Sequence, residues 1–208
     1  MRLISTIIAI IAFPTIAFAS SFNGPYIGIQ GGYESFNIDS TLVGAGALAG
    51  DSANTTFGGD GLNGGIFAGY GQKMGSTYLG IELEADAGGA SSKNSIKVGG
   101  TTAEADASHQ YDLGASIRAG YFLNNDTMLY GRVGGVNSKF NTNGTTNPSF
   151  NGVRFGFGSE TAISSNITIR ADWSYTDYQS KSWSDSSGDK LTVSPTSNTF
   201  RVGLAYNF

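Results

Sequence analysis

The stretch TYLGIELEADA at residues 77–87 determines the fold class that this sequence predicts. Apolar and polar positions alternate strictly along it: Leu79, Ile81, Leu83 and Ala85 alternate with Gly80, Glu82, Glu84 and Asp86. Successive side chains of a β-strand point to opposite faces, so this period of two predicts a strand with one apolar and one charged face. A helix would spread both kinds of residue around its circumference, and the pattern therefore argues against a helix here.

Seven further stretches alternate in the same way, and each has about the ~10 residues that a tilted strand needs to cross a bilayer. The eight predicted strands are residues 24–36, 61–71, 77–87, 109–122, 127–137, 150–161, 166–177 and 198–208. The connections at 38–60, 88–108 and 179–197 are long, those at 72–76, 123–126 and 162–165 are short, and 141–149 is intermediate. Long loops on one side and tight turns on the other are typical of outer-membrane barrels. We therefore predict an all-β fold, an eight-stranded antiparallel up-and-down transmembrane β-barrel with both termini on the periplasmic side.

Composition removes several classes of function. The chain has 208 residues with 31 glycines, no cysteine and one histidine, and its formal net charge is −4. Without cysteine there are no disulfides, thiol nucleophiles or cysteine-based metal sites. A single histidine excludes a zinc site built from several histidines. The negative charge argues against a nucleic-acid partner, because nucleic-acid binding calls for a basic surface.

The first residues are typical of a secretory signal peptide. Arg2 precedes an apolar run that ends in AFA at residues 17–19, which matches a positive n-region, an apolar h-region and a small-residue cleavage site. The alternative is a retained membrane anchor, but the run is shorter than the ~20 apolar residues of a spanning helix and contains Pro14. We therefore expect residues 1–19 to be removed, which leaves one outer-membrane β-barrel domain at residues 20–208.

Charge placement decides between a membrane barrel and a soluble lipocalin, which also has eight alternating strands but keeps its apolar side chains inside. Apart from Arg2, every arginine falls on the polar face of a predicted strand, whereas the lysines fall in loops, turns or strand ends. The guanidinium fork can pair with two carboxylates, so arginine suits a crowded polar interior. We predict a salt-bridged barrel interior formed by Glu34, Glu82, Glu84, Asp86, Asp112, Arg118, Arg132, Arg154, Glu160, Arg170, Asp172 and Arg201.

The first and last predicted strands resemble those of a known family. The segments GPYIGIQGGY at residues 24–33 and NTFRVGLAYNF at residues 198–208 are similar to the ends of small Gram-negative outer-membrane barrels of the opacity-protein and surface-antigen porin-like group. The resemblance implies a location in the outer membrane of a Gram-negative bacterium. It also implies that the barrel-insertion machinery reads a terminal signal consisting of Val202, Leu204, Tyr206 and Phe208. Members of this group are variously antigens, adhesins and small pores.

Three features raise the question of catalysis, and each has a simpler explanation. His109 could act as the base of a Ser-His-acid lipid hydrolase, but the residues after it, QY, lack the serine of the His-x-Ser pattern of lipid deacylase barrels. Glu82 and Glu84 have the same-face spacing of an acid–base pair, yet neutralisation by arginines explains them with fewer assumptions. The glycine-rich run at 44–50 only approximates a nucleotide-binding fingerprint. We expect a protein that is not an enzyme, with no metal and no cofactor.

Two classes of function remain open. The first is a structural or surface-interaction protein, antigen-like or adhesin-like, that acts through its long extracellular loops; the alternative is a narrow porin-like channel for small solutes. Eight strands leave an interior just wide enough for side chains, whereas open porins use ~16–18 strands, which favours the first class. The expected partners are outer-membrane lipid, the barrel-insertion machinery and host or matrix ligands at the loops, with no nucleic acid.

Overall fold

The computed structural model describes residues 22–44, 52–98, 101–142, 149–184, 188 and 190–208. The predicted signal peptide at residues 1–19 lies outside the described residues. The described strands are β1 (Gly24–Val43), β2 (Ser52–Met74), β3 (Thr77–Gly88), β4 (Ser91–Val98), β5 (Thr101–Phe122), β6 (Thr127–Thr142), β7 (Ser149–Ala162), β8 (Ile167–Tyr178), β9 (Lys181–Ser184) and β10 (Lys190–Asn207).

Eight of these strands form a closed ring. The order of hydrogen-bonded neighbours is β1, β10, β8, β7, β6, β5, β3 and β2, and β2 pairs again with β1. Every pairing is antiparallel. Closure matters because lipid offers no partner to a backbone N–H or C=O, so a membrane sheet must bond all of them within itself. The predicted fold class, an eight-stranded antiparallel up-and-down β-barrel, is confirmed.

Tight turns join the strands at one end of the barrel, which we call the turn end. Gly75 connects β2 to β3 with a φ of 64°, a left-handed conformation that glycine adopts without steric cost. Asn124 closes the turn between β5 and β6, where its Oδ1 accepts hydrogen bonds from the backbone N–H groups of Asp126 (2.9 Å) and Thr127 (2.8 Å). Short polar side chains of this kind stabilise turns because they replace missing backbone partners.

The opposite end, which we call the hairpin end, differs from the prediction. Much of the sequence assigned to long loops is paired strand: β1 continues to Val43, β2 begins at Ser52, and Val43 pairs with both Ser52 and Lys190. The short strands β4 and β9 add to these hairpins by pairing with β5 and β10. The loop assignment at 38–60, 88–108 and 179–197 was therefore wrong for the paired parts. The alternation test looks for an apolar outer face, and that face is required only where lipid surrounds the strand.

The outer face of the ring is apolar in the middle of the barrel. Leu62, Ile81, Leu83 and Phe157 are 75%, 63%, 65% and 63% exposed. Such exposure of large apolar side chains all around a barrel is unfavourable in water but matches a hydrocarbon environment. No helix within the described residues is long and apolar enough to span a membrane.

The two tryptophans should report the position of the membrane. Trp173 lies on the outer face of β8 beside the Phe157 ring, with ring centroids 5.4 Å apart. Trp183 pairs with Leu191, which is about 30 Å along β10 from Phe200, the partner of Trp173, at ~3.3 Å per residue. We expect lipids with brominated acyl chains to quench Trp173 strongly in a Trp183→Phe variant and Trp183 weakly in a Trp173→Phe variant. The reverse order would contradict the assigned outer face of β8.

Candidate functional site

The barrel lumen holds all twelve side chains that were predicted to form its charged interior. Each is at most 5% exposed. Seven carboxylates, from Glu34, Glu82, Glu84, Asp86, Asp112, Glu160 and Asp172, share the lumen with five guanidinium groups, from Arg118, Arg132, Arg154, Arg170 and Arg201. Charges taken out of water are costly unless each has an oppositely charged or hydrogen-bonded partner. The arrangement of partners is therefore the central feature of the site.

Glu82 of β3 receives the largest share of the contacts. Its Oε2 accepts hydrogen bonds from Arg170 Nη1 (2.6 Å), Arg118 Nη1 (3.2 Å) and the Tyr26 hydroxyl (2.9 Å). Its Oε1 lies 3.7 Å from Arg132 Nη1. These partners come from β8, β5, β1 and β6, so one carboxylate joins strands on several sides of the lumen.

Glu84 and Asp86 continue the column of carboxylates along β3. Glu84 accepts from Arg132 Nη2 (2.8 Å) and Arg154 Nη1 (2.7 Å), and its Oε2 is 3.6 Å from Arg201 Nη1. Asp86 Oδ2 is 3.5 Å from Arg201 Nη2. Every luminal arginine thus contacts at least one carboxylate of β3, although the arginines belong to five other strands.

Three carboxylates outside β3 complete the coordination of the arginines. Glu160 contacts Arg118 Nη2 at 2.5 Å, and Asp112 contacts Arg154 Nη2 at 2.5 Å. Asp172 Oδ1 and Oδ2 lie 4.0 Å from Arg132 Nη1 and 3.8 Å from Arg170 Nε. A guanidinium bound between two carboxylates uses the donor geometry in which arginine exceeds lysine.

Glu34 belongs to a different level of the lumen. It lies on β1 toward the hairpin end, where its register partners are Thr199 of β10 and Gly61 of β2. It is buried, and its position separates it from the column of carboxylates on β3.

Glycine makes room for the network at one close approach. A Cβ on Gly114 of β5 would lie 2.7 Å from Oε1 and 2.8 Å from Cγ of Glu84. The missing side chain therefore lets Glu84 lie against the wall while it binds arginines from the other side of the lumen.

An aromatic cluster closes the lumen at the turn end. It consists of Phe22, Tyr78, Phe122, Met128 and Tyr130, all buried. The rings of Phe22 and Phe122 meet edge to face with centroids 4.9 Å apart. Arg118 lies directly above, with its guanidinium carbon 4.0 Å from the centre of the Tyr130 ring. We call this group the aromatic plug.

The aromatic plug was not among the features predicted from the sequence. The signal was present, because Tyr78, Phe122 and Tyr130 occupy the same face of their strands as the luminal charges. Tyr26 and Gln30 also belong to the network, although the predicted set did not include them. Gln30 donates from Nε2 to Asp86 Oδ1 (2.7 Å) and accepts from Arg170 Nη2 (2.6 Å), so it links the acid column to β8.

The predicted terminal signal lies on the outer face of β10 and at its end. Val202, Leu204, Tyr206 and Phe208 are 45%, 44%, 48% and 65% exposed. The Tyr206 and Phe208 rings pack edge to face with centroids 5.2 Å apart. These residues take no part in the charged lumen.

The geometry gives no support to the catalytic alternatives. Both oxygens of Glu84 bind arginines, and Glu82 is bound by three, so neither is arranged as a general base. The strand register shifts between His109 and Tyr111, and the His109 side chain lies outside the described part of the structure. Within that described part, no cluster of three or more His, Cys, Asp or Glu side chains is placed to hold a metal ion.

Comparison with known proteins identifies the family. The family model described as outer membrane protein beta-barrel domain matches residues 5–208. The chain belongs to this family. A 31 kDa outer-membrane immunogenic protein of Brucella melitensis is 29% identical over 219 aligned positions, covering 94% of this chain and 88% of the relative. A 22 kDa outer membrane protein of Rhizobium leguminosarum bv. viciae is 28% identical, covering 91% of this chain and 80% of the relative.

A solved structure shows the same fold. The outer membrane protein OprG from Pseudomonas aeruginosa superposes with a TM-score of 0.60 at 15% identity, covering 92% of this chain and all of the OprG chain. This protein is accordingly an outer-membrane β-barrel of the family, with its charged residues inside and its apolar residues toward lipid.

The acid column predicts a graded loss of stability. Glu82→Gln removes the charge that contacts Arg118, Arg132 and Arg170, whereas Glu160→Gln removes one that contacts a single arginine. We expect Glu82→Gln to lower the free energy of unfolding by about 3–5 kcal/mol, the cost of breaking a buried pair, and Glu160→Gln to lower it by less. Urea unfolding in lipid vesicles, followed by tryptophan fluorescence, measures both.

The matched control is Leu83→Ile, which changes only the outer face of the same strand. Leu83 is 65% exposed and touches no charge in the lumen. Its unfolding midpoint should stay close to that of the unaltered protein. Equal midpoints for Glu82→Gln and Leu83→Ile would contradict a stabilising role of the network.

Proposed function

We propose that this protein is a non-conducting surface-interaction barrel, which displays its long hairpins outside the cell in an antigen-like or adhesin-like manner. The observation that carries the proposal is strand length. β1, β2 and β5 have 20, 23 and 22 residues, about twice the ~10 that a tilted strand needs to cross a bilayer. The excess lies entirely at the hairpin end, so these strands extend well beyond the membrane there.

The polarity of the extensions supports contact with water and macromolecules. On the outer face of β1, apolar side chains give way to Ser35, Asn37, Asp39 and Thr41 beyond Tyr33. A polar sheet of this kind is stable in water and offers hydrogen-bonding groups to host or matrix ligands. The relatives named immunogenic outer-membrane proteins are consistent with a surface that antibodies reach.

The alternative of a narrow channel for small solutes is less well supported. Arginines from five strands meet the carboxylates of β3, and the aromatic plug fills the lumen below them. An ion crossing this lumen would have to break several buried ion pairs. We also propose that the protein has no catalytic activity, because Glu82 and Glu84, which have the spacing of an acid–base pair, are both bound by arginines.

Insertion and orientation follow from the same proposal. The turn end, with both strand termini Gly24 and Asn207, faces the periplasm, and the hairpin end faces outward. The residues Val202, Leu204, Tyr206 and Phe208 serve as the signal for the barrel-insertion machinery, and outer-membrane lipid surrounds the apolar belt.

Cysteine labelling tests the orientation. Because the chain has no native cysteine, only the introduced cysteine can react. Ser184 is exposed at the hairpin end, and Asn125 is exposed at the turn end. A membrane-impermeant maleimide added to intact cells should label Ser184→Cys and leave Asn125→Cys unlabelled until the cells are lysed. Labelling of Asn125→Cys on intact cells would contradict the proposed orientation.

Planar-bilayer recording tests the closed lumen. We expect the unaltered protein to give no large, steady single-channel currents, because the network and the aromatic plug fill the lumen. A double variant, Glu84→Ala with Arg154→Ala, removes the Glu84–Arg154 pair together with their contacts to Arg132, Arg201 and Asp112, and it should admit short openings, while Leu83→Ile should remain silent. Large steady currents from the unaltered protein would favour the narrow-channel alternative.

A further inference from the structure

The hairpin end contains an opening between β2 and β4. β3 pairs with β2 as far as Gly88, which lies opposite Asn63. β4 then pairs with β2 at a single position, where Ser91 lies opposite Asp60. Beyond this point β2 pairs only with β1, and β4 only with β5, within the described residues. We call the side of residues 52–59 that faces β4 the free edge of β2.

The free edge presents main-chain donors and acceptors. The Leu62 carbonyl oxygen accepts a hydrogen bond from the Gly89 N–H (2.8 Å), so the backbone groups of Leu62 point toward β3 and β4. In an antiparallel strand every second residue directs its N–H and C=O to the same side. Because the register of β2 against β1 is continuous, the N–H and C=O of Asn54, Thr56 and Gly58 point into the opening. These groups are available to pair with another strand.

The free edge lacks the features that normally protect an unpaired strand, which are short length, charged side chains, proline and bulges. Other unpaired edges among the described strands of the hairpin end have such features. β9 has four residues, and β4 contains Lys93 and Lys97. The part of β5 beyond its pairing with β6 contains Glu104 and Asp106. Residues 52–59, SANTTFGG, extend about 26 Å at ~3.3 Å per residue without a charge, a proline or a bulge.

The described side chains beside the free edge are polar and uncharged. Asn54 and Thr56 are exposed, and Thr56 Oγ1 donates a hydrogen bond to Asp39 Oδ1 of β1 (2.7 Å). The edge therefore offers a row of main-chain hydrogen bonds. A partner that satisfies this row must itself present alternating N–H and C=O groups, and an extended polypeptide has this chemistry.

A second copy of this barrel does not fit the free edge through its own β2. Two barrels inserted in the same direction differ only by a rotation about the membrane normal. Because strands tilt by ~35–45° from the normal, the β2 strands of two copies cross at no more than about 90° and never run antiparallel. Without any rotation they are parallel, but the free edge of one copy then faces the body of the other. The β4 edge of a neighbour contains the lysines that protect it from pairing.

We propose that the free edge of β2 binds an extended segment of another protein, which adds to the sheet as a strand antiparallel to β2. The inference rests on the proposed surface interaction and names its ligand class as an extended polypeptide. Main-chain hydrogen bonds supply the affinity in this mode of recognition. The test uses nanodiscs, in which both ends of the barrel are open to solution. A reversed orientation on cells would therefore leave its result unchanged, so the two proposals can fail separately.

The probe is the peptide fluorescein-KTVTVTVK-amide, which is as long as residues 52–59. Its β-branched residues favour an extended chain, and its terminal lysines keep it soluble and oppose self-association. The protein is held in lipid nanodiscs that contain one copy each. We expect the fluorescence anisotropy of the peptide to rise and saturate as the protein concentration increases, and empty nanodiscs should give no saturable rise.

Matched variants locate the site. Thr56→Pro removes an N–H that points into the opening and leaves the pairing with β1 in place, so it should weaken peptide binding about threefold or more. Thr56→Val keeps this N–H and loses only the hydroxyl that contacts Asp39, so binding should stay unchanged. Asn54→Pro changes the same edge and serves if Thr56→Pro does not fold, as judged by gel mobility before and after boiling.

Methylation of the peptide backbone tests the mode of pairing. A peptide with N-methyl groups on alternate residues along one edge keeps its other edge free, and it should still bind because pairing with β2 uses one edge only. A peptide with N-methyl groups along both edges has lost its main-chain donors. We expect this second peptide to show no saturable binding.

Several results would overturn the proposal. Absence of saturable binding to the unaltered protein would mean that the edge is closed by another part of the chain or accepts no strand. Equal affinities of Thr56→Pro and Thr56→Val would place the peptide elsewhere, and binding of the peptide methylated along both edges would refute main-chain pairing. Stable pairs of barrels in detergent that Thr56→Pro abolishes would mean that a second copy occupies the edge.

Discussion

The ion pairs between the carboxylates of β3 and the arginines of five other strands are the interaction on which this barrel depends. An eight-stranded barrel has a lumen that must be filled by side chains, and lipid outside forces the polar residues of each strand inward. Glu82, Glu84 and Asp86 point into the lumen at intervals of two residues, about 6.6 Å along the strand. This column gives each arginine an oppositely charged partner at its own level.

Arginine is suited to this role because of its length and its planar fork. Arg170 reaches from β8 to Glu82, although β8 and β3 are not neighbours in the ring. Arg154 binds Glu84 with one Nη and Asp112 with the other, so it joins carboxylates from two strands. These side-chain contacts join strands that share no backbone hydrogen bonds, so they fix the cross-section of the barrel. The backbone hydrogen bonds join neighbouring strands and close the barrel around its circumference. The two kinds of bond therefore stabilise different aspects of one closed fold.

The sequence predicts the strand boundaries well in the membrane-spanning part of the barrel and less well at the hairpin end, for a physical reason. Alternation with an apolar outer face reveals a strand only where lipid is outside, which is why residues 77–87 were assigned closely and the paired residues beyond Phe36 were taken for loop. Parity also placed Glu82 and Arg118 on the inner face. The alternation could not predict which acid contacts which arginine. A contact across the lumen depends on strand tilt and stagger, and the sequence of a single strand carries no signal for either. The aromatic plug was not predicted because tyrosines on the inner face are compatible with the alternating pattern and give no separate signal.

The reversal of polarity along β1 marks the level at which the strand leaves the membrane. Tyr33 faces outward and Glu34 inward, and two residues later Phe36 is the inward residue and is only 1% exposed. Below this level every luminal arginine contacts a carboxylate of β3, so the sequence there has little freedom to change. Above it the strands need only remain paired, because water satisfies any polar group on the outer face. The membrane therefore does not require the apolar row of Leu42, Leu191 and Trp183, which lies on three adjacent strands beyond this level.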